Sequence, residues 1–162
     1  MERDYRQRLF VTSYLLVIIW AGVIFTLSSE GHGASTSRSD LIVNYLQSAG
    51  ALLPTDLLTF LTRKAAHIIA YFIFGVLAYN VVRHYTLRAR RTILISSAIV
   101  LGYAISDEVH QLFVPGRSGE VRDVLIDTVA GTVAVVLTYL IHRRIVKRRA
   151  ARRASNPQQV QA

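Results

Sequence analysis

The sequence predicts an all-α integral membrane protein: a four-transmembrane-helix bundle with an amphipathic or re-entrant segment on its outer face. Three observations carry this reading. Four stretches of membrane-spanning length are almost free of charge. Basic residues gather beside alternate ends of those stretches. The composition is 52% hydrophobic yet carries a formal charge of +9, with a mean hydropathy of +0.35. Such a chain is too apolar for a disordered segment. The absence of cysteine excludes disulfide frameworks, thiolate zinc sites, iron–sulfur ligation and cysteine nucleophiles.

The first stretch, Leu9 to Leu27, is nineteen residues without a charge. At helical rise it covers roughly 28 Å, close to the thickness of a bilayer's hydrocarbon core. It shows no polar face, which a helix on a soluble surface needs. Its apolar core is longer than that of a secretory signal, and no small-x-small cleavage site follows, so it reads as an uncleaved span. The second stretch, Ala65 to Val82, has eighteen residues with only His67 and Asn80 strongly polar. The third, Thr92 to Val114, is apolar until Asp107. The fourth, Val124 to Ile141, carries one charge, Asp127.

Charge gives the orientation. Arg3, Arg6 and Arg8 precede the first span, and Arg83, Arg88, Arg90 and Arg91 lie between the second and third. Arg143, Arg144, Lys147, Arg148, Arg149, Arg152 and Arg153 follow the fourth. These are fourteen of the nineteen basic residues, whereas of the ten acidic residues only Glu2 and Asp4 share that side. The positive-inside rule puts both termini in the cytoplasm. The chain then divides into a cytoplasmic N-terminal tail (1–8), a four-helix membrane domain (9–142) and a basic cytoplasmic C-terminal tail (143–162). Juxtamembrane arginines of this kind meet anionic lipid, so nucleic acid is not the expected partner. The polar end, Ser155 to Ala162, reads as disordered.

The first outer loop, from Ser28 to about Lys64, is too long for a turn. Ser39-Asp40 reads as a helix N-cap ahead of Leu41, Ile42, Tyr45 and Leu46, which recur at helical spacing. Gly50 and Pro54 end that segment, and Thr55-Asp56 reads as a cap for a helix that runs into the second span. The expectation is an interfacial helix on the outer leaflet.

Polar residues collect at the outer ends of three spans. Lys64, His67 and Tyr71 share one helical face just after Arg63, and Asp107 and Gln111 share another, flanked by Glu108. Asp123 and Asp127 open the fourth span one turn apart. Asp107 and Asp127 each lie roughly 22 Å from the cytoplasmic boundary by helical rise, inside the outer interface. A charge there costs a few kcal/mol unless paired or wetted. Matched depth therefore predicts one polar pocket open to the outside. The plainer alternative is that Lys64 pairs with Asp107 or Asp127 to hold the bundle, while Asp123 and Asp127 complement a helix dipole.

At these residues the chain resembles the VanZ-like family of small bacterial membrane proteins. The resemblance rests on Phe25-Thr26-Leu27-Ser28-Ser29, on Arg63-Lys64-Ala65-Ala66-His67 with Tyr71 and Gly75, and on Ser106-Asp107-Glu108-Val109-His110-Gln111 leading to Pro115-Gly116-Arg117. Asp123, Asp127 and Gly131 complete it, with Asp127 standing where the family more often has asparagine. The resemblance implies a multi-pass protein of the bacterial cell membrane with a cell-envelope role. The family's namesake contributes to resistance to the lipoglycopeptide teicoplanin, so a link to glycopeptide tolerance is implied in the same way.

Three functions are compatible with the residues. In the first, the pocket acts on a cell-envelope lipid or lipid-linked cell-wall precursor. Arg63, Lys64 and Arg117 would hold a phosphate or carboxylate, and His67 would serve as acid or base. Asp107, Glu108 and Asp123 would orient it or hold a divalent metal through oxygen, with Tyr71, Gln111 and Asp127 lining the ligand. Ser28, Ser29, Ser106 and Ser118 are nucleophile candidates only by elimination. In the second, the same pocket binds such a molecule, or a lipid-tailed antibiotic, without chemistry. In the third, the chain is a scaffold or small transporter.

Overall fold

The computed structural model describes residues 2–30, 32–86 and 88–155. The polar end expected to be disordered, 155–162, lies outside them beyond Ser155. Among the described residues there are five helices: α1 (Glu2–Ser28), α2 (His32–Ser48), α3 (Thr55–Val82), α4 (Ala89–Gln111) and α5 (Val121–Ser155). All but α2 contain an apolar run long enough to cross a membrane: Gln7–Ser28, Thr55–Val82, Ala89–Gln111 and Val121–Arg152. The protein is a multi-pass membrane protein of four spanning helices.

The surface is the reverse of a soluble bundle's. Leu15, Leu16, Ile18 and Ile19 of α1 are exposed, as are Ile68 and Ile69 of α3 and Leu137 and Leu140 of α5. Hydrocarbon is the solvent that makes such a surface free of cost. Inside, Ile24, Tyr71, Phe74, Val100 and Ala104 form the core, with Val17, Trp20 and Tyr103 packed against it. Phe74 and Tyr103 place their ring centres 4.7 Å apart. Trp20 donates its indole N–H to the Ala70 carbonyl at 2.9 Å, and the Tyr103 hydroxyl donates to the Ala21 carbonyl at 2.5 Å. Both bonds tie α1 to the bundle through groups that lipid could not satisfy.

α3 is the centre of the bundle and touches every other helix. It runs in the same direction as α5. Lys64 meets Asp123, His67 meets Asp127 and Arg83 meets His142, so paired residues stay 59 or 60 positions apart along the whole length. Two glycines permit this closeness. A Cβ at Gly75 would fall 2.2 Å from the Gly131 carbonyl oxygen, and one at Gly131 would fall 2.5 Å from Val100 Cγ1. Small residues at such crossings are how membrane helices approach backbone to backbone.

α2 ends in a Schellman motif: Ala51 N–H donates to the Leu46 carbonyl and Gly50 N–H to that of Gln47, both at 3.0 Å, with Gly50 at φ 99°. Pro54 then stands as the N-cap of α3, so the helix begins at Thr55 and runs unbroken into the apolar stretch. α2 itself starts at His32, earlier than the Ser39-Asp40 cap signal indicated. Ser39 is buried inside the helix, with Val43 a turn later on the same face, and this face packs on α3. Leu41 and Tyr45 point away and are exposed. At the other end of the chain α5 passes residue 142 without a break and carries the basic run as helix to Ser155.

Candidate functional site

The polar residues of three helices converge at the end of the bundle where α3 and α5 begin. Lys64 and Asp123 form an ion pair. One turn deeper, His67 Nδ1 lies 3.2 Å from Asp127 Oδ2. One further turn along α3, the Tyr71 hydroxyl donates to Asp107 Oδ2 at 3.2 Å. Asp107 and Asp127 are 3% and 1% exposed, and Tyr71 is fully buried. Each aspartate keeps a buried Oδ1 without a hydrogen-bond partner. A carboxylate oxygen from each and a ring nitrogen of His67 lie within 4.8 Å of one another. Among the described residues, these three could hold a cation.

Lys64 thus pairs with Asp123 rather than with Asp107 or Asp127. The parallel register of α3 and α5 sets this, because it matches each polar turn of α3 with the corresponding turn of α5. The pair is about four-fifths buried on both sides. Lys64→Met should destabilise the protein by about 1–3 kcal/mol, since it leaves the largely buried Asp123 without its cation. Adding Asp123→Leu should recover much of the loss, and denaturant unfolding of the single and double variants in detergent measures both.

Glu108 and Gln111 lie beside this column and hold the α4–α5 turn. Glu108 Oε2 accepts the Glu120 N–H at 2.8 Å, and its Oε1 accepts from Gln111 Nε2 at 3.3 Å. Gln111 Oε1 accepts from Arg117 Nη1 at 3.1 Å. Arg117 Nε reaches the Glu30 carbonyl at 3.2 Å, which ties the turn to the end of α1. Gly116 takes φ 75° to make that turn, a conformation glycine adopts without steric penalty.

Two cavities open here. One, of about 540 Å³, is polar and runs between α3, the start of α5 and the α4–α5 turn, with Asp40, Lys64, Ser118, Glu120 and Asp123 on its walls. The other, of about 230 Å³, is largely apolar and lies between α1, α2 and α3, walled by Ile24, Leu27, Ile42, Ala66 and Ala70. Arg63, His67 and Arg117 line both. Arg63 makes no hydrogen bond or ion pair among the described residues.

Of the serines, Ser28 is buried in the wall of the apolar cavity and Ser118 lines the polar one. Ser29 is engaged with His110 Nε2 at 3.0 Å, and Ser106 is exposed on α4. Nothing in the residue pattern marks the apolar cavity. Its lining includes Ser39, Ile42 and Thr62, of which Ser39 and Ile42 reach the site only because α2 folds back on α3.

Comparison with known proteins gives one finding. A family model described as VanZ/LLP1 matches residues 12–142. No curated protein and no solved structure matches the chain. The matched segment begins inside the first apolar stretch, contains the other three and takes in every residue of the polar column: the chain belongs to the VanZ/LLP1 family.

Proposed function

We propose that this protein binds an amphiphile with an anionic headgroup at the outer face of the bacterial cell membrane. The amphiphile is a cell-envelope lipid or a lipid-linked cell-wall precursor. One observation carries the reading: a polar cavity and an apolar cavity meet at Arg63, His67 and Arg117. A headgroup phosphate or carboxylate would sit between the two guanidinium groups, and its chain would enter the apolar cavity between α1 and α2. The distribution of basic residues supports an outward-facing site, with both termini cytoplasmic. The helical basic run from Arg143 to Arg153 would then lie against anionic lipid of the inner leaflet, at about 1 kcal/mol for each residue near the surface. The exposed Leu41 and Tyr45 of α2 suit contact with the outer leaflet. A lipid-tailed glycopeptide such as teicoplanin has the same two-part chemistry, and a link to tolerance of it belongs to this proposal.

The His67–Asp127 contact favours a catalytic version of the same reading, because a carboxylate orients an imidazole for proton transfer. The two versions separate on His67→Ala. A binder loses affinity in graded fashion, whereas an enzyme keeps affinity and loses all turnover.

Native mass spectrometry of the purified protein in mild detergent tests the proposal. The probes are phosphatidylglycerol, phosphatidylcholine and a polyprenyl pyrophosphate at equal concentration. One anionic amphiphile should bind per chain, well ahead of the zwitterionic lipid. Ile42→Trp, which fills the apolar cavity, should exclude it. Equal retention of all three probes, unaffected by Ile42→Trp, would sink the reading.

A further inference from the structure

The depth of the bundle holds two carboxyl groups, each with an unpartnered buried oxygen. Asp107 and Asp127 are almost wholly buried, and the lysine nearest them along α3 is already paired with Asp123. Tyr71 satisfies one oxygen of Asp107, and His67 one oxygen of Asp127. The second oxygen of each carboxylate is buried and has no partner. A buried carboxylate oxygen left in this state is costly, and each of the two carboxyl groups brings an oxygen within 4.8 Å of the other. A cation between them removes both penalties.

The donor set indicates which cation. Two carboxylate oxygens and an imidazole nitrogen lie within 4.8 Å of one another. Ligand atoms at about 2.1 Å from one ion stand at most about 4.2 Å apart, so closure needs only side-chain rotation. A mixed nitrogen and oxygen set suits a divalent transition ion, whereas calcium seeks six to eight oxygens. Tyr71 stands where an outer partner belongs, donating to a ligating carboxylate and fixing it. Three protein ligands leave coordination positions over, and His67 borders both cavities.

We propose that His67, Asp107 and Asp127 form a binding site for one divalent transition-metal ion. The site stands independently of the amphiphile reading, since it rests on the buried cluster and not on the cavities.

The test uses the full chain in detergent, stripped with chelator and titrated with Mn²⁺ and with Zn²⁺. Free Mn²⁺ is followed by electron paramagnetic resonance, and Zn²⁺ by calorimetry. Wild type should bind one ion per chain and melt at a higher temperature with it. Asp127→Asn and Asp107→Asn should each weaken binding by ~100-fold or more, because losing a ligand exceeds the 10–100-fold typical of an outer partner. Tyr71→Phe should fall within that outer-partner range, and Asp56→Asn, outside the cluster, should bind as wild type. A measurement on wild type alone covers variants that fail to fold: pulsed resonance of the bound ion should show one imidazole nitrogen. No stoichiometric binding by wild type, no imidazole coupling, or undiminished binding in the folded aspartate variants overturns the proposal.

Discussion

Gly75→Ala should lower the melting temperature of the protein in detergent by roughly 5–10 °C. The added methyl would fall 2.2 Å from the Gly131 carbonyl oxygen and 2.9 Å from its carbonyl carbon and Cα. All three are backbone atoms, so no side-chain rotation relieves the clash, and α5 must move away from α3. Forced overpacking of a tight interface costs about 1–3 kcal/mol, often more where backbone must shift. For a chain of this size each kcal/mol moves the melting point by about 2–4 °C. The displacement is transmitted to the site. Asp127 lies one turn from Gly131, and its contact with His67 is already 3.2 Å long, so separating the helices breaks it. Gly131→Ala should be milder, because its nearest obstacle is the Val100 side chain at 2.5 Å. Thermal unfolding of both variants beside wild type checks the order. A Gly75→Ala protein that melts with wild type would show that the helices do not cross this closely.

The same glycine pair shows what was legible in the sequence. Apolar length and the placement of arginines predicted four spans, because hydrocarbon imposes one requirement on every residue of a span. The polar column is also visible, as Lys64, His67, Asp107, Asp123 and Asp127 stand out against apolar surroundings at the same ends of three spans. Their pairing was not visible. Depth alone points Lys64 to Asp107 or Asp127, whereas the parallel register of α3 with α5 pairs it with Asp123. The start of α2 at His32 is not legible locally, because Ser39 matches a capping pattern while its burial inside the helix is a tertiary effect that overrides the pattern. The apolar cavity was invisible for a different reason. Ile24, Ile42, Ala66 and Ala70 are ordinary lipid-compatible residues on three helices, and nothing in composition distinguishes a residue facing a cavity from one facing lipid.

Arg63→Ala should weaken binding of an anionic amphiphile by roughly 10- to 100-fold while leaving the fold intact. A charge-assisted hydrogen bond to a phosphate or carboxylate is worth about 1.5–3 kcal/mol, and each 1.4 kcal/mol is a factor of ten in affinity. The fold should survive because Arg63 makes no hydrogen bond or ion pair among the described residues, although it borders both cavities. Arg117 serves as the contrast. It borders the same two cavities but also holds Gln111 and the Glu30 carbonyl. Arg117→Ala should therefore lose affinity and thermal stability together. Tail and headgroup can be separated with two probes, a tailed phospholipid and glycerol phosphate. Arg63→Ala should weaken both, whereas Ile42→Trp should weaken only the tailed one. If Arg63→Ala retains affinity within twofold for both probes, an unpaired guanidinium between two cavities is not what recognises the ligand. The polar column would then be a device for joining helices.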